Sequence, residues 1–186
     1  MKSPYDKHYQ TEDLFGEPYP ELIEFFKERS GKILNVGCGQ GRNAVALARL
    51  GFEVTTIDNS IVGIKQLQEL ADAETLELQT AVADMFNFEG FGAHDYVLLD
   101  SMFHFGKKEL KKETNFVKHV VAKMKQGGTL VVCVQDTGKK VAILNDAIDY
   151  VRKLGRIVDL RFTYVYVDGE SDHSTTTPYR LVVAQK

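Results

Sequence analysis

Three glycines fall within five positions in the run Asn35-Val36-Gly37-Cys38-Gly39-Gln40-Gly41. Glycine is needed where the backbone turns tightly and where a side chain would collide with a ligand. A turn from strand to helix also aims backbone N–H groups outward, which suits a polar or anionic ligand group. Asp58 closes the next apolar run and Asp84 the one after it. In a parallel sheet the carboxyl ends of neighbouring strands flank one crevice, so both acids are expected near the glycine turn. A carboxylate at Asp58 can accept both hydroxyls of a ribose, because it is an acceptor-only group on a rigid element. Asp84 is placed to hold an adenine amino group, with Met85 or Phe86 over the ring. Each has a plainer reading. The glycines can simply pack helix on strand, Asp58 can cap a helix (a role open to Asn59-Ser60 as well), and Asp84 can be a turn aspartate.

A second constellation is Asp100-Ser101-Met102-Phe103-His104-Phe105. His104 is the candidate general base, since a neutral imidazole is available near neutral pH. Phe103 and Phe105 can wall an apolar acceptor pocket or belong to the core. Upstream lies an aromatic leader, Tyr5, Tyr9, Phe15 and Tyr19, able to fold over the pocket, with Tyr9 placed to touch ligand or acceptor. Pairing His104 with His119 or His173 as metal ligands has no supporting spacing, so no metal is expected.

The elements that must position these residues alternate. Short β-branched runs at 32–36, 53–57, 76–82, 96–99 and 129–134 read as strands. Between them, amphipathic stretches at 42–50, 62–70, 107–125 and 141–154 read as helices, and a helix at 21–29 precedes the first strand. Leu70, Leu110 and Val151 are counted with the apolar faces. Lys107, Lys108, Lys111, Lys112 and Lys118, interspersed with Glu109 and Glu113, read as a solvated helix face. The tail breaks the alternation: 157–167 and 179–184 are strands joined by the turn-forming segment 168–174, so they pair antiparallel. The expected fold is α/β, a Rossmann-like doubly wound sheet of seven strands, mostly parallel with a C-terminal antiparallel hairpin. Residues 1–30 form a lid segment and helix, and 31–186 the ligand-binding domain.

Two cofactor classes use a glycine turn followed by a ribose-binding acid. The dinucleotide fingerprint G-x-G-x-x-G/A fails from Gly37, where the third small position is Arg42. It survives from Gly39, with Gly41 and Ala44, but then leaves Gly37 unexplained. The Gly37-x-Gly39-x-Gly41 spacing and the closing hairpin resemble class I S-adenosylmethionine-dependent methyltransferases. Gly37-Cys38-Gly39-Gln40-Gly41-Arg42-Asn43-Ala44 is similar to the tellurite-resistance type of small methyltransferase. That resemblance implies a donor pocket built from Asn35, Gly37, Cys38, Gly39, Gly41, Asn43, Asp58, Asn59, Asp84, Met85, Asp100 and Ser101. It implies methyl transfer from S-adenosylmethionine to an acceptor contacted by Tyr9, Phe103 and His104. Where this chain has Asn35 the family usually has Asp or Glu, an acid that helps orient the donor's amino end.

Composition narrows the partners. With 44% hydrophobic and 26% charged residues, the 186-residue chain can bury one ordinary core. A net charge of −3 gives no reason to expect a nucleic-acid or membrane partner. No run approaches the roughly 20 apolar residues of a membrane span. Two cysteines, Cys38 and Cys133, make no disulfide framework, and the N-terminus lacks a secretory signal, so a cytoplasmic setting is expected. No Asn-Pro-Pro-Tyr-type tetrapeptide follows the fourth strand, and a small-molecule acceptor is the leading expectation. A nicotinamide-dependent oxidoreductase and a non-catalytic module that keeps the fold remain the alternatives.

Overall fold

A computed structural model describes residues 3–10, 16–151, 154–167 and 174–186. Phe15 and His173, and with it most of the segment joining the last two strands, lie outside the described residues. The chain opens with a 3₁₀ helix at Pro4–Gln10 and α1 at Pro20–Phe26. It then alternates: β1 Lys32–Val36, α2 Arg42–Arg49, β2 Glu53–Asp58, α3 Ile61–Glu74, β3 Leu78–Val82 and β4 Tyr96–Asp100. After these come α4 Leu110–Lys123, β5 Thr129–Gln135, α5 Lys140–Val151, β6 Gly155–Val167 and β7 Ser174–Gln185.

These strands form one seven-stranded sheet in the order β3-β2-β1-β4-β5-β7-β6. β1 to β5 pair parallel, whereas β7 enters antiparallel between β5 and β6. The expected fold is thus observed. The order reverses on either side of β1, and ligands of such sheets bind in the crevice outside the strand ends at that reversal.

Alternation along the strands splits the core into two layers. Leu34, Val36, Val97, Leu99, Leu130 and Val132 face α4 and α5, where Phe116, Val117, Val120, Leu144 and Ile148 are buried. Ile33, Val54, Leu98, Val131 and Val183 face the other way, against Leu22 and Phe26 of α1, Ala44 and Leu47 of α2, and Leu67 of α3. Both faces are covered, so the central strands are continuous apolar runs.

Three helix assignments need correction. Leu70, Leu110 and Val151 are exposed, the latter two being the first and last residues of α4 and α5. Residues 107–109 precede α4 rather than belonging to it. Glu113, counted with the solvated face, is 6% exposed and works as a loop anchor.

The last two strands run longer than the pattern suggested. β5 pairs with β7 only as far as Gln135↔Tyr179, yet β6 and β7 continue for five more residue pairs, to Val167↔Ser174. The hairpin therefore projects beyond the sheet by roughly 17 Å at ~3.4 Å per residue.

Candidate active site

The ends of β1, β2, β3 and β4, the N-terminal 3₁₀ helix and the projecting hairpin enclose one cleft of about 780 Å³. At its floor the glycine turn leaves β1. Gly39 has φ +56°, and a Cβ there would stand 2.8 Å from the Tyr9 hydroxyl. Gly41 has φ +91°, and its Cβ would fall 2.3 Å from Leu67 Cδ1 on α3. Left-handed backbone and close approach together demand glycine at both positions.

Asp58 ends β2 beside this turn. One of its oxygens accepts the Gly39 N–H at 2.9 Å and the other the Ser60 N–H at 2.8 Å. Asp58 does not cap α3; the Ser60 hydroxyl does, accepting the Gly63 N–H at 3.1 Å. Each carboxylate oxygen keeps acceptor capacity after one hydrogen bond. Asn59 borders the cleft too, and its side-chain oxygen accepts the Ser3 hydroxyl at 2.7 Å. Asp84 caps the 3₁₀ turn Met85–Asn87, accepting the Phe86 N–H and the Asn87 amide, both at 3.0 Å. The turn role and a place on the cleft wall coexist in it, and Met85 and Phe86 line the same side.

At the end of β4, Asp100 gathers the turn and the next loop. It pairs with Arg42 at 2.6 Å, accepts the Asn43 amide at 2.7 Å and accepts the Ser101 hydroxyl at 2.7 Å. Ser101 in turn bonds the Tyr19 hydroxyl at 2.7 Å, and the Arg42 guanidinium stacks 4.5 Å from the Tyr19 ring centroid. Asn43 borders the cleft, but its amide is committed to Asp100. Asn35 does not line the cleft. It is 2% exposed in mid-β1, flanked in register by Thr56 and Leu98, and its Nδ2 has no partner. That buried donor carries a cost, smaller than the desolvation of a lone carboxylate at the same interior position.

The loop after β4 separates Phe103 from His104. Phe103 is 2% exposed, stacked on Phe105 at 5.3 Å and part of the core layer over α4, so its assignment to the acceptor pocket is corrected. His104 between them points outward into the cleft. The cause is a turn at Phe105, φ +48°, clamped by Glu113. One carboxylate oxygen of Glu113 accepts the His104 N–H at 3.2 Å and the other the Phe105 N–H at 2.6 Å. Sequence reading missed Glu113; a lone acid one turn into an otherwise basic helix was the available signal.

Tyr9 is 5% exposed over the glycine turn, and its carbonyl accepts the Gln66 amide at 2.9 Å. Burial, with Asp58 close by, pushes its phenol pKa well up, so it stays protonated. Burial likewise raises the Cys38 thiol, which lines the cleft as a neutral group. Among the described residues no cluster of three His, Cys, Asp or Glu side chains is set to hold a metal ion. No helix among them is long and apolar enough to cross a membrane.

A glycine cradle beside a buried carboxylate, at the reversal of a 3-2-1-4-5-7-6 sheet, fits an adenosine-bearing donor, and known proteins agree. Residues 2–146 match the family model described as Tellurite resistance protein TehB. The chain belongs to the TehB family. The Haemophilus influenzae (strain KW20 / Rd) protein named "Probable S-adenosyl-L-methionine-dependent methyltransferase TehB" is 29% identical over 135 residues, covering 72% of this chain and 45% of that protein. A methyltransferase-named protein of Geobacillus sp. (strain WCH70) is 31% identical over 130 residues, covering 69% of this chain and 52% of that one. The chain thus spans about half the length of the curated relatives it matches. The fold is that of the H. influenzae TehB crystal structure, with TM-score 0.72 at 18% identity, covering 98% of this chain and 65% of that one.

Proposed function

We propose that this TehB-family chain itself transfers a methyl group from S-adenosylmethionine to a small-molecule acceptor by in-line displacement. The observation that carries the proposal is the meeting of the glycine turn with the Asp58 carboxylate at one end of the cleft, with His104 lining the same cleft. The residues fit the donor. Gly37, Cys38, Gly39 and Gly41 bring the turn's backbone to the cleft wall, positions 39 and 41 by letting Tyr9 and Leu67 pack against them, and Asp58 has acceptor capacity for ribose hydroxyls. Asn59, Asp84 and Met85 border the adenine end, and Asp100 with Ser101 closes the methionine end next to Asn43. Asn35 acts only from beneath the turn.

When bound, the donor supplies a methyl carbon on a positively charged sulfur, which departs as a neutral thioether. What the chain adds is alignment, exclusion of water and proton removal. His104 takes the acceptor's proton at an imidazole nitrogen as its lone pair engages the methyl. Tyr9, neutral and bonded through its carbonyl to α3, covers the glycine turn as part of an N-terminal lid segment that, with the helix after it, makes up residues 1–30 ahead of the domain of residues 31–186. The corresponding setting is the cytoplasm, with no metal and no nucleic-acid or membrane partner.

Gly39→Val tests the cradle. A Cβ at that point meets the Tyr9 hydroxyl at 2.8 Å, and β-branching worsens the φ of +56°. The expected result is loss of S-adenosylhomocysteine binding in calorimetry with the circular dichroism spectrum retained. Unchanged affinity contradicts the placement.

A further inference from the structure

We infer that the projecting β6–β7 hairpin is the acceptor-selecting wall of the cleft, and that the acceptor is a planar aromatic ring carrying an acidic hydroxyl. This deepens the methyltransferase reading and rests on it.

Register gives the wall its composition. Tyr164 pairs with Thr177 and Tyr166 with Thr175, so alternation puts all four side chains on one face of the ribbon beyond the end of β5, where the Tyr164 hydroxyl donates to the Glu17 carbonyl at 3.4 Å. All four line the cleft, while Val165 between them is exposed on the opposite face. Successive same-face residues stand roughly 7 Å apart along a strand, about the width of a fused ring system. Tyr19 forms the base, meeting Tyr164 at 4.8 Å in a T-shaped contact and bonding Ser101 through its hydroxyl. Aromatic faces and edges at this spacing favour a flat π-surface over a branched or saturated one. The threonine hydroxyls offer hydrogen bonds to polar groups on the ring's rim.

Charge argues the same way. The guanidinium bordering the wall, Arg42, is answered by Asp100 at 2.6 Å and stacked on Tyr19. A small oxyanion would therefore compete with a buried carboxylate, and an ammonium would lie beside a like-charged guanidinium. The base selects further. Proton transfer to an imidazole is efficient from a group of moderate acidity, and a phenol, near pKa ~10, is far closer to it than an aliphatic alcohol. In the balanced step the phenolic proton passes to His104 and the oxygen pair forms the new O–CH₃ bond. The electron pair of the broken S–CH₃ bond stays on sulfur.

The test is calorimetric titration of the protein saturated with S-adenosylhomocysteine, using 1-naphthol and catechol as probes and cyclohexanol, ethanolamine and tellurite as comparators. The expected result is that at least one phenol binds ten times more tightly than any comparator. Tyr166→Ala, outside the sheet-supported part of the hairpin, should weaken that phenol at least tenfold, with S-adenosylhomocysteine affinity unchanged within twofold. Turnover of 1-naphthol or catechol with S-adenosylmethionine, read as S-adenosylhomocysteine release, should fall in parallel. Binding of S-adenosylhomocysteine with no preference for the phenols, or a phenol affinity untouched by Tyr166→Ala, overturns this inference alone. Failure of S-adenosylhomocysteine to bind overturns the methyltransferase reading and this inference with it.

Discussion

Two carboxylates decide most of the site at the scale of single residues. Asp58 holds the Gly39 and Ser60 N–H groups and is assigned the ribose hydroxyls, so Asp58→Ala removes a charge-assisted acceptor from both turn and ligand. Donor affinity should fall by about 1–3 kcal/mol in a titration with S-adenosylhomocysteine; an effect within error would leave Asp58 only its backbone role. Glu113 is the second. Glu113→Gln exchanges one of two charged acceptors for an amide N–H₂ facing a backbone N–H, at a turn where Phe105 is already left-handed. Chemical denaturation should show a loss of about 1–3 kcal/mol, and an unchanged midpoint would mean that Phe103 and Phe105 packing alone shapes the loop. These residues differ in legibility for a physical reason. Asp58 and the glycines sit where strand periodicity ends, so their place follows from local pattern. Glu113, the outward turn of His104 and the inward turn of Phe103 depend on the φ of Phe105 and on a contact eight residues away, which no periodicity records. Asp100 was legible as a strand end, but its grip on Arg42 and Asn43 is tertiary.

Element by element, the N-terminal 3₁₀ helix is fastened to the start of α3. Asp6 accepts the Ser60 hydroxyl at 2.7 Å, Ser3 bonds Asn59, and Gln66 bonds the Tyr9 carbonyl. The leader reads in sequence only as a scatter of aromatics, because its anchors are single polar pairs with α3. Asp6→Asn should therefore speed S-adenosylhomocysteine dissociation in stopped-flow while the melting temperature stays within about 2 °C, since a substitution at the surface that keeps an acceptor changes stability little. Equal dissociation rates would remove the lid role. The hydrogen bond from Ser60 holds the Asp6 carboxyl below its ordinary range. Its contribution is complete above the unfolded carboxylate value and is lost as pH falls through the lowered one, so the fastening should hold at any pH above about 4. The strands and helices themselves were legible nearly to their ends, because buried parallel strands are apolar runs and each helix carries one apolar face. The length of the hairpin was not: Thr175, Thr176 and Thr177 are polar enough to read as loop, yet they pair with β6.

On the scale of the whole molecule, two apolar layers fix the sheet, and the sheet fixes where strand ends converge. The cleft lies at the reversal beside β1, with glycine turn, acids and post-β4 loop on its floor and the hairpin standing over one side. Such an arrangement selects S-adenosylmethionine over a dinucleotide when the five-residue glycine spacing, and not the overlapping dinucleotide register from Gly39, governs binding. Parallel calorimetric titrations of the protein with S-adenosylmethionine, S-adenosylhomocysteine and NAD decide this. Micromolar binding of the first two with none for NAD is the predicted result, and binding of NAD alone would contradict it.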